Sequence, residues 1–243
     1  VSQAQAIVMA AGLGTRMAPL TQTTPKPLIR VNGTPMIESV INALEAAGVA
    51  CIYVVVGYLK DQFRYLEERY GPVKLIENPE YLSKNNISSI YAAIEVLEQG
   101  DAFICEADLV VSESGIFSDL PSKSCYFGRM TEGYTDDWAF DLDMTGRITR
   151  VGKGAVNSYA MVGISFFKSG DAAHLARCIR SAYTQEGHER LFWDDIVNQH
   201  IDEFDLRIRP VLEGQVVELD TIEELAAFDP SYSDQLRSNI DEG

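Results

Sequence analysis

Positive charge is what this chain most lacks: 20 Lys and Arg stand against 36 Asp and Glu over 243 residues, a formal net charge of −16. Duplex nucleic acid and anionic membranes both require a basic surface, so neither fits as a partner. Histidine is also scarce. His174, His188 and His200 show neither metal nor triad spacing, and all three read as structural or surface residues. The four cysteines, Cys51, Cys105, Cys125 and Cys178, form no Cys-x-x-Cys pair and read as buried, reduced thiols, which suits a cytoplasmic protein. No apolar run nears the roughly 18 residues of a membrane helix. No basic segment precedes the first apolar run, Ala6 to Leu13, so a soluble chain without a leader is expected. Internal repeats and low-complexity tracts are missing as well.

What is present is 46% hydrophobic content, enough for one large core carrying an inserted or appended lobe. Ala6–Ala10, Cys51–Val56, Lys74–Glu77 and Ala102–Cys105 read as strands, the second apolar and β-branched as in a strand buried on both faces. Met36–Ala47 reads as a helix, with Thr34 as N-cap and Pro35 at its first position. Asp61–Tyr70 and Ser88–Leu97 read as two more. This alternation predicts a mixed, mostly parallel α/β sheet flanked by helices. Beyond Asp108 the pattern breaks into short strand pieces at Cys125–Met130, Trp138–Leu142, Ile148–Val151 and Tyr159–Phe167, an antiparallel extension. Helices follow at Asp171–Gln185 and Arg190–Ile201. A strand at Val216–Leu219 leads into the capping box Thr221-Ile222-Glu223-Glu224. One domain over residues 1–229 is expected, with its acceptor-binding portion at about 125–200 and a polar, frayed tail at 230–243.

The first strand feeds the loop Ala10-Ala11-Gly12-Leu13-Gly14-Thr15-Arg16. Glycines at a strand end let backbone N–H groups approach phosphates closely. Two familiar loops are excluded: a dinucleotide fingerprint needs glycine where Met17 stands, and a P-loop needs a Gly-Lys-Ser/Thr that is absent. The loop continues through Met17-Ala18-Pro19-Leu20 to Thr24-Pro25-Lys26-Pro27-Leu28. This run resembles the signature of nucleotidyltransferases that make activated sugars and alcohols, L-x-A-G-x-G-T-R-x-x-P-L-T followed by P-K-P-L. The resemblance implies a Rossmann-like domain of the nucleotide-diphospho-sugar transferase type. It also implies that Ala10 to Thr15 wrap a nucleotide, with Arg16 on the β and γ phosphates and Lys26 near the α phosphate and the acceptor. The competing reading of Lys26 is an exposed lysine between two prolines, but those prolines fix its backbone and aim its side chain.

Asp108 follows an apolar strand, where ligands of open α/β sheets gather, and Asp220 occupies a similar position. Two such carboxylates repel unless a cation lies between them, and Mg²⁺ takes one or two carboxylates plus phosphate oxygens. The resemblance supports this metal role for both. A competing reading makes Asp220 the cap of the last helix. A phosphoryl acceptor has its second pKa near 6, so the nucleophile is already largely ionised and no protein base is required. Alignment and charge neutralisation by Lys26, Arg16, Asp108 with its Mg²⁺ and the loop amides carry the catalysis.

Aromatic residues stand beside acids at Tyr134, Asp136, Asp137 and Trp138, at Tyr159, and at Phe192-Trp193-Asp194-Asp195. Aromatic faces with carboxylates suit a quaternary ammonium; for each ring taken alone, core packing is the competing reading. Asn85-Asn86-Ile87-Ser88-Ser89-Ile90-Tyr91, Phe192-Trp193-Asp194 and Glu218-Leu219-Asp220-Thr221 extend the resemblance to bacterial CTP:phosphocholine cytidylyltransferases. The Glu-Lys-Pro motif of sugar-nucleotide enzymes is absent, and Val151-Gly152-Lys153-Gly154 stands in its region. The resemblance implies that Leu13, Asn85, Ser89 and Ala107 lie near the nucleotide, and that Trp138, Tyr159, Trp193, Asp194 and Glu218 bind the acceptor. The expected reaction is CTP plus phosphocholine giving CDP-choline and pyrophosphate. The alternatives are a sugar-1-phosphate nucleotidyltransferase, a cytidylyltransferase for 2-aminoethylphosphonate or another small amino-phosphate, and a non-catalytic nucleotide-binding regulatory module.

Overall fold

Short apolar runs with residues buried toward both sides can only be satisfied as inner strands of a covered sheet, and the computed structural model, which describes residues 4–234, uses them so. Chain order is β1 (Gln5–Ala10), a ribbon of β2 (Arg30–Val31) and β3 (Thr34–Pro35), α1 (Met36–Ala46), β4 (Cys51–Val56), α2 (Tyr65–Arg69), β5 (Val73–Glu77), α3 (Ile87–Ala92), α4 (Ile94–Gln99), β6 (Ala102–Glu106) and β7 (Leu109–Val111). The second half runs β8 (Cys125–Leu142), β9 (Ile148–Phe167), α5 (Ser169–Ala182), α6 (Trp193–Gln199), β10 (Arg207–Pro210), β11 (Val216–Glu218) and α7 (Ile222–Phe228).

Seven strands form one sheet in the order β10-β8-β9-β6-β1-β4-β5. β9 pairs antiparallel with both neighbours, while every other pairing in this sheet is parallel, so the expected mixed, mostly parallel architecture is the one found. From β1 the chain steps outward to β4 and β5, then returns to place β6 on the other side of β1. That reversal opens a crevice at the carboxyl ends of β1 and β6, the point where such sheets bind ligands.

Alternate residues of the central strands face opposite cores. Ala6, Val8 and Val54 pack with Ile37, Val40, Ile41 and Leu44 of α1; Ile7, Val55 and Ile104 pack with Ile90, Leu97, Leu175, Ile179 and Ile196. The i, i+3, i+4, i+7 spacing along α1 is the stripe that buries a helix on a sheet.

Several local expectations are revised. α1 begins at Met36, with Pro35 in the N-cap position and no side-chain cap, because Thr34 is engaged by Val31 in the β2–β3 ribbon. The helix expected over Ser88–Leu97 is broken at Ala93 (φ −104°, ψ 19°) into α3 and α4. The four strand pieces after Cys125 are two long strands of 18 and 20 residues whose pairing is interrupted by bulges. Beyond Asp229, Pro230–Tyr232 form a 3₁₀ turn. Asn32 N donates to Asp229 Oδ2 (2.7 Å) and Tyr232 Oη to Arg30 O (2.7 Å), so the expected fraying does not begin at residue 230; the remainder of that tail, 235–243, lies outside the described residues. All four cysteines are free thiols. Among the described residues no helix is long and apolar enough to cross a membrane.

Candidate active site

A cleft of about 770 Å³ opens over the carboxyl ends of β1 and β6. The chain leaving β1 forms its rim. Gly14 sits at φ 64°, in the left-handed region, and a Cβ there would stand 2.7 Å from Lys26 Cβ and 3.1 Å from Thr21 Cγ2, so only glycine lets the loop lie against Lys26. A Cβ on Gly12 would meet nothing of the chain within 4 Å; the space it would fill is cleft. Met17, fully buried with Ile29, Val31, Met36, Leu219 and Leu225, anchors the loop's far end. Tyr58 and Gln62 tie down the middle: Tyr58 N donates to Ala11 O (3.1 Å), Tyr58 Oη to Thr21 O (2.8 Å) and Gln62 Nε2 to Thr23 O (2.8 Å). Sequence reasoning missed these two, which carry no motif.

The 3₁₀ turn Lys26–Leu28 aims Lys26 inward rather than outward, its side chain nearly enclosed. Its Nζ lies 2.6 Å from Asp108 Oδ2 and 2.6 Å from Asp220 Oδ1. Burial alone would lower the Lys26 pKa; the Asp108 and Asp220 carboxylates outweigh it and raise the pKa above the ordinary value. Arg16 grips Asp220 in a bidentate pair, Nη1–Oδ2 2.8 Å and Nη2–Oδ1 2.9 Å, but its side chain is two-thirds exposed. Such a pair costs little to exchange for a more highly charged partner. The two aspartates meet because β11 pairs antiparallel with β7, Glu218 opposite Leu109. Thr221, not Asp220, caps α7: its Oγ1 accepts from Glu224 N at 3.2 Å, and Glu224 Oε2 accepts from Asp220 N at 2.7 Å. Asp220 is thereby left to face the cleft.

Behind the aspartates stand Glu106 and Glu218. Glu106, Asp108 and Glu218 each offer an oxygen within 4.8 Å of the others. Gly163 (φ 75°) allows this packing, since a Cβ there would lie 3.3 Å from Glu106 Cβ and 3.2 Å from Leu109 Cδ2. Burial, then the charges of Glu218 and Asp108, push the Glu106 carboxyl well above the usual carboxylate range. Glu218 is reached by solvent through the cleft mouth but walled by protein elsewhere; burial, then Asp108 and Asp220, push its pKa up to about 8. A set of carboxylate oxygens without sulfur or imidazole fits a hard divalent cation. It equally fits an ammonium group.

Of the residues expected around the nucleotide, Ala10 to Arg16, Asn85 and Ser89 line the cleft, joined by Asn78, whose Nδ2 donates to Ser88 Oγ (2.9 Å) and Ser89 Oγ (3.2 Å). Ala107 does not: it faces the core, 1% exposed, because alternation turns it away from its neighbours Glu106 and Asp108. Around the acceptor, Trp138 and Glu218 line the cleft with Asp136, Asp137 and Phe192. Trp193, Asp194 and Tyr159 do not. Trp193 stacks on Tyr126 inside the core (centroids 5.9 Å, 12°), following the buried stripe it shares with Ile196 and Val197. Asp194 is buried beside it, accepting from Tyr126 Oη at 2.9 Å. Burial raises its pKa to about 7, with the Tyr126 hydrogen bond opposing. Tyr159 packs against the same core. Phe192, in the N-cap position of α6, meets Trp138 edge-on at 5.4 Å. The sequence reading also passed over the cleft cations Lys84 and Arg129, which stand with Lys153.

The description MobA-like NTP transferase domain matches residues 6–123. The chain is 66% identical to a 2-aminoethylphosphonate cytidylyltransferase of Lancefieldella rimae, over 96% of this chain and 95% of that one. It is 33% identical to a choline-phosphate cytidylyltransferase of Streptococcus pneumoniae, over 90% and 94% respectively. A solved structure of CTP:phosphocholine cytidylyltransferase from Streptococcus pneumoniae superposes with a TM-score of 0.87 at 32% identity, covering 94% of this chain and 99% of that one.

Proposed function

Because the chain belongs to the MobA-like NTP transferase family, we propose that it transfers CMP from CTP to 2-aminoethylphosphonate, releasing pyrophosphate. The observation that carries the choice of acceptor is the lining of the cleft. Besides Asp108 and Asp220, the lining brings five acidic side chains, Glu106, Glu218, Glu224, Asp136 and Asp137, against three aromatic rings, Tyr81, Trp138 and Phe192. A quaternary ammonium has no N–H to donate and needs rings on several faces. A primary ammonium has three N–H donors and needs acceptors. With Trp193 and Tyr159 turned to the core, the acceptor end suits the primary amine. The 66% identity to a relative of that name supports the same reading. Phosphocholine remains the second reading, favoured by the Trp138–Phe192 pair.

In this mechanism an oxygen of the acceptor's phosphonate attacks the α phosphorus of CTP, and the bond to the pyrophosphate oxygen breaks. Asp108 and Asp220 would hold Mg²⁺, which supplies neutralisation of phosphate charge when bound. Arg16 and Lys26 exchange their aspartate partners for the triphosphate, Lys26 between donor and acceptor. Arg129 and Lys153, which have no ion-pair partner among the described residues, hold the phosphonate while Glu106 and Glu218 hold the amine. The loop amides from Gly12 to Thr15 orient the nucleotide. No residue needs to act as base, because the acceptor is largely ionised near neutrality.

Pyrophosphate release with CTP and a panel of 2-aminoethylphosphonate, phosphocholine, phosphoethanolamine and sugar 1-phosphates tests this. The expected result is a kcat/KM for 2-aminoethylphosphonate at least about tenfold above the others, a difference of about 1.4 kcal/mol. Preference for phosphocholine would transfer the assignment to the second reading, and turnover only with a sugar 1-phosphate would end both.

A further inference from the structure

Two segments that do not line the cleft, α5 and the turn after α6, bring together a thiol, two imidazoles and a carboxylate. His174 and Cys178 are four residues apart, one turn along the same face of α5. Glu203 closes the 3₁₀ turn Ile201–Glu203 and reaches back over them. His174 Nε2, Cys178 Sγ and a Glu203 carboxylate oxygen all lie within 4.8 Å of one another. Separately, His174 Nε2 is 2.6 Å from Glu203 Oε2 and 3.7 Å from Cys178 Sγ. His200 Nδ1 lies 2.9 Å from the other carboxylate oxygen, Glu203 Oε1.

The geometry points to a binding site for a borderline transition-metal ion of the Zn²⁺ class, with His174 Nε2, Cys178 Sγ and a Glu203 oxygen as ligands and water in the fourth position. Metal–ligand bonds of about 2.0 to 2.3 Å in a tetrahedron set ligand atoms about 3.3 to 3.8 Å apart. The His174–Cys178 distance already has that value. The His174–Glu203 distance is short because a proton now joins the two, and it opens by less than about 1 Å when a cation replaces the proton.

The mixture of sulfur, imidazole and carboxylate distinguishes this cluster from the all-oxygen set of the cleft, and it selects a softer ion. His200 acts outside the ligand set: its Nδ1 fixes the Glu203 carboxylate, as second partners of metal ligands do. Arg177 Nη2 now donates to His174 Nδ1 at 3.1 Å, so Nε2 carries the proton. Binding moves that proton to Nδ1, displaces the exposed Arg177 and releases the Cys178 thiol proton, about one proton per ion. The ion would tie α5 to the turn after α6, the helix whose N-cap residue Phe192 lines the cleft.

Co²⁺ titration of the purified full chain reads this directly, because only a thiolate ligand gives an intense near-ultraviolet charge-transfer band. One equivalent of band is expected in the wild type and in Asp108→Asn, and none in Cys178→Ser. Competition with Zn²⁺ should show at least about tenfold weaker binding in His174→Ala and in Glu203→Gln, and about 10- to 100-fold weaker in His200→Ala. Undiminished CTP turnover shows that Cys178→Ser and Glu203→Gln are folded. Absence of the band in the wild type, its persistence in Cys178→Ser, or unchanged Zn²⁺ affinity in both His174→Ala and Glu203→Gln would overturn the site.

Discussion

A lysine ammonium enclosed by protein ordinarily gives up its proton more readily, yet Lys26 is held charged by the two aspartates that share it. On the proposed mechanism its removal takes away an enclosed cation between donor and acceptor, and it leaves Asp108 facing Asp220. Lys26→Ala is expected to lower kcat by about 10² to 10³, the usual cost of one preorganised charge donor, with an unchanged circular-dichroism spectrum. A near-normal rate would remove it from the catalytic set. Asp194 shows the opposite balance. Its folded pKa is raised to about 7 from an ordinary 3.8, so below about pH 4 both folded and unfolded chains are protonated there and folding carries no penalty. As pH rises toward 7 the unfolded chain ionises first, stability is lost, and above 7 the loss is constant, of order 4 kcal/mol at most. Asp194→Asn keeps an acceptor for Tyr126 Oη and cannot ionise. It should therefore raise the urea midpoint at pH 8 and raise it only about a quarter as much at pH 4.5; equal gains at both would refute the account.

Elements decide which of two adjacent aromatics faces the cleft. Phe192 precedes α6 and turns to the cleft, whereas Trp193 begins the helix and joins its buried stripe. Trp138, on β8, lines the cleft beside Phe192. Trp138→Ala should raise the KM for the acceptor about 2- to 30-fold, the equivalent of one cation–π contact, leaving the KM for CTP unchanged. Trp193→Ala should instead cost about 3 to 5 kcal/mol of stability; the reverse pattern would overturn these placements. The β8–β9 hairpin was harder to read. Gly133 (φ 75°) and Asn157 (φ 50°) sit where the pairing shifts. In the sequence such residues look like strand ends, but here they are bends through which the ladder resumes. Ala93, with no breaker signal of its own, parts α3 from α4 although both helices bury their apolar residues in the same core.

At the scale of the whole molecule, a chain of net charge −16 holds a cleft that collects Arg16, Lys26, Lys84, Arg129 and Lys153. Seven acids share that lining, and two of them, Asp108 and Asp220, are the present partners of Lys26 and Arg16. The sequence by itself determined what depends on near neighbours: the apolar inner strands, the left-handed glycine beside the proline-flanked Lys26, the capping box of α7, and the α/β class that follows from their alternation. Only the tertiary structure decided what depends on distant partners. The β7–β11 pairing brings Asp220 to Asp108. The packing of α6 takes Trp193 and Asp194 out of the cleft. The turn after α6 carries Glu203 to His174 and Cys178, residues whose spacing in the chain suggested no metal. The reason is physical. Backbone conformation and amphipathic period are set within a few residues, whereas the direction of a side chain into a cleft or a core is set by surfaces that meet only when the sheet is assembled.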